Sequence, residues 1–109
     1  MGYICHHAIV VTTDYDQNRL EQLRDFALGL DCVVSPIVDS ITNGYCSFCV
    51  FPDGSKEGWS RSGDGDDARS ALISRIESHK YSDGSSPFSW AEIQYGDDHG
   101  DNKILRSSS

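Results

Sequence analysis

The sequence predicts one α+β domain of βαββαβ order, with two helices on one face of a four-stranded antiparallel sheet. Three observations lead there. Residues 3–12 (YICHHAIVVT) and 45–51 (YCSFCVF) are β-rich and apolar on both faces, as central strands are. Residues 33–41 contain Pro36, which has no N–H to give a ladder and so places that strand at an edge. Between these runs lie two helical patterns, Leu20, Leu23, Ala27 and Leu30 in the first, Leu72, Ile73 and Ile76 in the second.

Each element carries its own signals. Thr13, Asp14 and Asp16 offer N-caps for a first helix over 16–29, and Gly29 offers a stop. Asn43-Gly44 stands between two β-runs, the strongest short hairpin signal. A polar loop, 52–65, follows and contains Trp59. The second helix is expected to begin near Asp66 and Asp67, whose charges suit its positive end, while His79 and Lys80 suit its last turn. Residues 83–87 (DGSSP) are turn chemistry, and 88–95 make the fourth strand. The domain is drawn over 1–96, with 97–109 as an acidic and then Ser-rich tail that has room for a short strand at 103–106. This is the split-βαβ, ferredoxin-like pattern, in which the first and third strands are central and the second is an edge. Asp53-Gly54-Ser55 ahead of Trp59 and Asp83-Gly84-Ser85 ahead of Trp90 repeat a turn followed by an aromatic expected to pack on the sheet.

Length and charge narrow the function classes. The chain has 109 residues, enough for one core. Nine bases against 17 acids leave a net charge of −8, which opposes binding to DNA, RNA or anionic membranes. The N-terminal residues lack the basic and apolar regions of a secretory signal, and His6 stands where myristoylation wants Ser or Thr. The longest apolar run, 8–11, is too short for a bilayer. A cytoplasmic location is expected, with Cys5, Cys32, Cys46 and Cys49 reduced.

No constellation names a reaction. Cys46 and Cys49 have C-x-x-C spacing, but on a strand the two thiols point to opposite faces. His6 and His7 diverge for the same reason. Cys5 and His7 share a face, so a metal or thiol site would need a third residue such as Cys49. There is no P-loop or G-x-G-x-x-G, and the position eleven beyond Asp64, where an EF-hand needs Glu, is Arg75. The third strand carries none of the Lys or Arg of an RNA-recognition motif. No catalytic residue, no metal ligand and no cofactor is therefore assigned.

Surface is what remains. The sheet face away from the helices is expected to carry alternate residues of Tyr3, Cys5, His7, Tyr45, Ser47, Cys49, Phe88 and Trp90, as a homodimer interface or a partner platform. Asp64, Asp66 and Asp67, with Asp97, Asp98 and Asp101, form two acidic clusters, and Trp59 is a candidate anchor beside the first. Carboxylates so spaced could occupy a basic groove on another protein as phosphates would, or simply keep the chain soluble.

Residues 2–12 (GYICHHAIVVT), 52–59 (PDGSKEGW) and 83–90 (DGSSPFSW) resemble small bacteriophage and prophage proteins, to which no catalytic motif is tied. Small acidic phage proteins of this kind resemble anti-CRISPR and other anti-defence inhibitors. The resemblance implies an inhibitor in the host cytoplasm that occludes a basic, nucleic-acid-binding site on a host defence protein. A second reading is a signalling-nucleotide sponge, acting as an oligomer, with Arg61, Arg69 and Arg75 on one wall and Trp59 or Trp90 stacking on the base. A third is a thiol or metal protein using Cys5, His7 and Cys49.

Overall fold

The computed structural model describes residues 5–14, 17–54, 60–96 and 102–108. It is an α+β structure of two helices and one open antiparallel sheet. The elements are β1 (His6–Thr13), α1 (Gln17–Gly29), β2 (Val33–Val34), β3 (Val38–Asp39), β4 (Cys46–Phe51), α2 (Ser60–Glu77), β5 (Ser89–Tyr95) and β6 (Lys103–Ser107). The sheet is six-stranded, in the order β2-β4-β1-β5-β6, with β3 also paired to β4. The two apolar runs are central, as expected: β1 pairs Val11 with Phe48 of β4 on one side and with Trp90 of β5 on the other.

Strand periodicity sorts the side chains. Ile9, Val11 and Thr13 of β1, Cys46, Phe48 and Val50 of β4, and Trp90 and Glu92 of β5 turn to one face and are buried. Leu20, Leu23 and Ala27 of α1 and Leu72, Ile73 and Ile76 of α2 join the same cluster, so both helices cover that face. Phe48 lies at its centre, 1% exposed.

Three expectations are corrected. The strand expected over 33–41 is two short strands, because the chain bulges at Ser35-Pro36-Ile37. Pairing runs Val34↔Val50 and then Val38↔Ser47, four residues on one side against three on the other. Pro36 offers no N–H there, the Ser35 carbonyl accepts from Arg24 Nε (2.6 Å), and Ser35 Oγ accepts the Cys49 N–H instead (2.9 Å). The sheet has six strands rather than four: that split adds one, and Lys103–Ser107, where the tail was expected to have room for a short strand, pairs with β5 as β6. The second helix starts at Ser60, not near Asp66. The first helix does end at Gly29, as expected, and the chain is capped two residues further on. Asp31 takes the left-handed conformation (φ 63°), with Cys32 N–H donating to Ala27 O (3.1 Å) and Asp31 N–H to Leu28 O (3.0 Å), the two bonds of a Schellman cap.

The turn signals hold. Asn43 and Gly44 both have positive φ (66° and 69°) in the β3–β4 connection, as do Gly54 (80°) and Gly84 (88°) in the two Asp-Gly-Ser segments. Asp83 accepts hydrogen bonds from Ser85 Oγ (2.6 Å) and Ser85 N–H (2.9 Å). These bonds, the hydroxyl first, hold the Asp83 carboxyl below the usual carboxylate range. A depressed folded-state value means that the turn's contribution is present above the ordinary carboxyl pKa and is lost as pH falls through the lowered one. Ser85→Ala is expected to return the Asp83 titration, followed by carboxyl-carbon NMR, toward its ordinary range; an unmoved midpoint would refute the assignment of cause.

Candidate functional site

Because α2 begins at Ser60, Asp64, Asp66 and Asp67 lie along its second turn and beyond rather than at its positive end. The helix macrodipole therefore gives them little. Asp64 and Asp67 are exposed, three residues apart and on one side of the helix. Asp66 is spoken for: its Oδ1 pairs with Nη2 of Arg69. Trp59, Asp97, Asp98 and Asp101, also expected at the site, lie outside the described residues, as does Tyr3.

Arg69 is the hinge of the local geometry. Its side chain is 9% exposed, because it sits one turn before Leu72 and Ile73 on the apolar side of α2. A buried guanidinium requires carboxylates. Glu92, on the helix-facing side of β5 and 2% exposed, brings Oε2 to 3.5 Å from Arg69 Nε, an ion pair without hydrogen-bond geometry. Glu92 in turn accepts a two-pronged grip from Arg106 of β6, Nε to Oε1 at 2.6 Å and Nη2 to Oε2 at 3.1 Å. That grip, through its hydrogen bond first, raises the Arg106 pKa further above its ordinary value. Arg106 Nη1 also donates to Ser70 Oγ (3.4 Å), so the sheet edge and α2 are tied through one carboxylate.

Gly65 completes the packing. A Cβ there would lie 2.8 Å from Asp53 Oδ2 and 3.2 Å from Arg69 Nη1. Glycine in a helix interior weakens the helix by about 0.5–1 kcal/mol relative to Ala, and here its bareness lets Asp53 and Arg69 close over α2. Beside this point lies a cleft of about 180 Å3, between α2 and the β2–β4 edge. Asp31, Asp53 and Asp64 line it, with Val33 and Phe51 as its apolar wall and Arg69 as its one cation among the described residues.

The other expected constellations come apart. Cys46 is buried on the helix side of β4 and Cys49 faces the opposite way, so the C-x-x-C pair does diverge. Burial pushes both thiols up, aided at Cys46 by the charges of Asp39 and Glu21. His7 faces the helix side while Cys49 does not, and no group of three metal-ligating side chains occurs among the described residues. Trp90 is 6% exposed and cannot stack on a base, and the Arg75 guanidinium lies 4.7 Å from the centre of the Phe26 ring. The expected aromatic platform is also corrected: Phe88 (2% exposed) and Trp90 belong to the core, and the aromatics of the open sheet face are Phe51 and Tyr95.

Asp31, Asp53, Arg69, Glu92 and Arg106 were not singled out as one site by sequence. Two signals were available: Glu92 continues the inward alternation of Phe88 and Trp90, and Arg69 precedes Leu72 on the apolar helix stripe. Pairing across the sheet was not visible.

Two outcomes follow from this geometry. Arg106→Met is expected to cost about 3 kcal/mol or more in urea unfolding, since it leaves buried Glu92 without its hydrogen bonds, and Glu92→Ala should cost less, because Arg106 is 43% exposed and Arg69 keeps Asp66. The double variant should cost clearly less than the sum, and additive losses would deny the coupling. Asp31→Gly relieves a left-handed non-glycine residue and should stabilise by about 0.5–1 kcal/mol while removing one cleft carboxylate; a lower melting temperature would contradict this.

No family model matches the chain, and no curated protein matches it. Among solved structures, the adenylyl cyclase CyaB from P. aeruginosa aligns at 14% identity over 94% of this chain and 67% of that chain, with a TM-score of 0.27. A likeness of that size carries no argument about activity.

Proposed function

We propose that this chain is a non-enzymatic binding protein whose acidic cleft and helix side engage a basic surface on another protein. The observation that carries the reading is the convergence of Asp31, Asp53 and Asp64 on one cleft, with Asp67 exposed beside them, in a chain of net charge −8. Apolar walls flanked by carboxylates suit an Arg or Lys side chain, whose methylene stem and cationic head want different surroundings. Such a surface attracts a basic protein and repels nucleic acid, and the long-range field speeds encounter.

The more specific version is an inhibitor of a host defence or nucleic-acid-processing protein, acting in the cytoplasm by occluding a phosphate-binding groove. Its supports are the acidic surface and the resemblance of three segments to phage proteins. The scaffold reads as a ferredoxin-like βαββαβ core with β6 appended, supported by the order β2-β4-β1-β5 and its antiparallel pairing. The nucleotide-sponge reading is disfavoured because Arg69 is committed to Asp66 and Glu92.

Affinity capture from host extract tests the reading, comparing the wild type with an Asp64→Lys/Asp67→Lys variant. The expected partner is basic, is displaced by added duplex DNA, and is lost by roughly tenfold or more between low and physiological salt or on charge reversal. Capture that survives high salt, DNA and charge reversal would overturn it.

A further inference from the structure

The sheet face opposite the helices is the second surface of this molecule. Register assigns to it His6, Ala8, Val10 and Thr12 of β1, then Ser47, Cys49 and Phe51 of β4. From β5 come Ser89, Ala91, Ile93 and Tyr95, and from the edges Val33, Val38 and Ile104. No carboxylate, lysine or arginine is among them, although the chain carries 17 acids. Several are well exposed: Val10 by 39%, Phe51 by 47%, Val38 by 60% and Ile104 by 65%. Contiguous apolar area of this kind on a charged protein marks an interaction surface.

We propose that this face is the interface of a homodimer, two sheets stacked back to back about a two-fold axis. Charge selects the occupant. Among the described residues a basic partner finds no carboxylate here, whereas a second copy presents the same neutral patch and meets no opposing charge. Back-to-back stacking also puts both helix layers, with Asp64, Asp66 and Asp67, on the outside, where the like charges of the two chains are farthest apart. Area is sufficient. Five neighbouring strands about 4.8 Å apart and roughly six residues of about 3.4 Å each give about 480 Å2 per copy, or roughly 1,000 Å2 for the pair. That reaches the lower bound of about 1,000 Å2 for specific association. Small residues along the middle of the face, Ala8, Ala91, Thr12 and Ser47, the last two hydrogen-bonded to each other (2.8 Å), leave a flat surface for a facing sheet about 10 Å away. The arrangement is independent of the acidic cleft and would present two such clefts on opposite sides.

Light scattering and sedimentation equilibrium of the full chain, to about 100 µM, test it. The expected mass is twice the 12.0 kDa of the chain. Val10→Asp and Ile104→Asp should each weaken the dimer by roughly tenfold or more, because each would bury an unpaired carboxylate. Val10→Ser and Ile104→Ser should weaken it less, and Asp67→Asn, in the helix layer, should leave it intact. Circular dichroism confirms that each variant is folded, and the serine variants decide the matter if an aspartate variant is not. Added salt should tighten this dimer by screening net repulsion, the opposite of its effect on capture of a basic partner. A 12.0 kDa species throughout, or a dimer indifferent to Val10 and Ile104, overturns the proposal.

Discussion

A carboxylate buried between a helix and a sheet organises much of this molecule. Glu92 is 2% exposed on the face where β5 otherwise shows Trp90 to the core. A charge in that position must be paired. Arg106 supplies the hydrogen bonds and Arg69 a second cation 3.5 Å away. Through them β6 is secured to β5, and α2 is held at one height over the sheet. Arg69 passes the constraint outward to Asp66, and Asp53 is drawn beside it over the bare Gly65. The acidic cleft is thus the outer rim of a buried charge network.

The opposite rim of the cleft is set by backbone rules. The Schellman cap at Asp31 turns the chain from α1 into β2 and places that residue in the lining of the cleft. The bulge at Ser35-Pro36 then keeps β2 and β3 short, and Arg24 of α1 holds it by the Ser35 carbonyl. That short, interrupted edge offers little ladder for an additional strand. The two faces differ accordingly: carboxylates on the helix side, and on the other, among the described residues, a surface without Asp, Glu, Lys or Arg.

Much of the fold was legible because its signals are local. Residues 8–11 and 46–51 are apolar on both sides, Pro36 marks the edge, and Asn43-Gly44 marks the connection into β4. The departures are equally physical. Asp66 and Asp67 resemble an N-terminal signal, yet Gly63 and Gly65 are tolerated inside α2, and at Gly65 Asp53 and Arg69 fill the space a side chain would occupy. The tail has room in the sequence for a short strand at 103–106, but its place in the sheet depends on pairing with β5 and on the grip of Arg106 on Glu92. The site was half visible. Asp64, Asp66 and Asp67 stood out as a run, but Asp31 and Asp53 are single acids far apart in the chain.

By itself the sequence determined the class of the fold, the net charge of −8 and the divergence of the two cysteines on one strand, since periodicity and composition are properties of neighbours along the chain. Only the tertiary structure decided which face of the sheet takes Phe88 and Trp90, that Asp66 is paired while Asp64 and Asp67 are exposed, and that Glu92 needs two arginines. Those outcomes depend on strand register and on the close approach of residues distant in sequence. A one-residue slip would exchange the neutral face for the charged one.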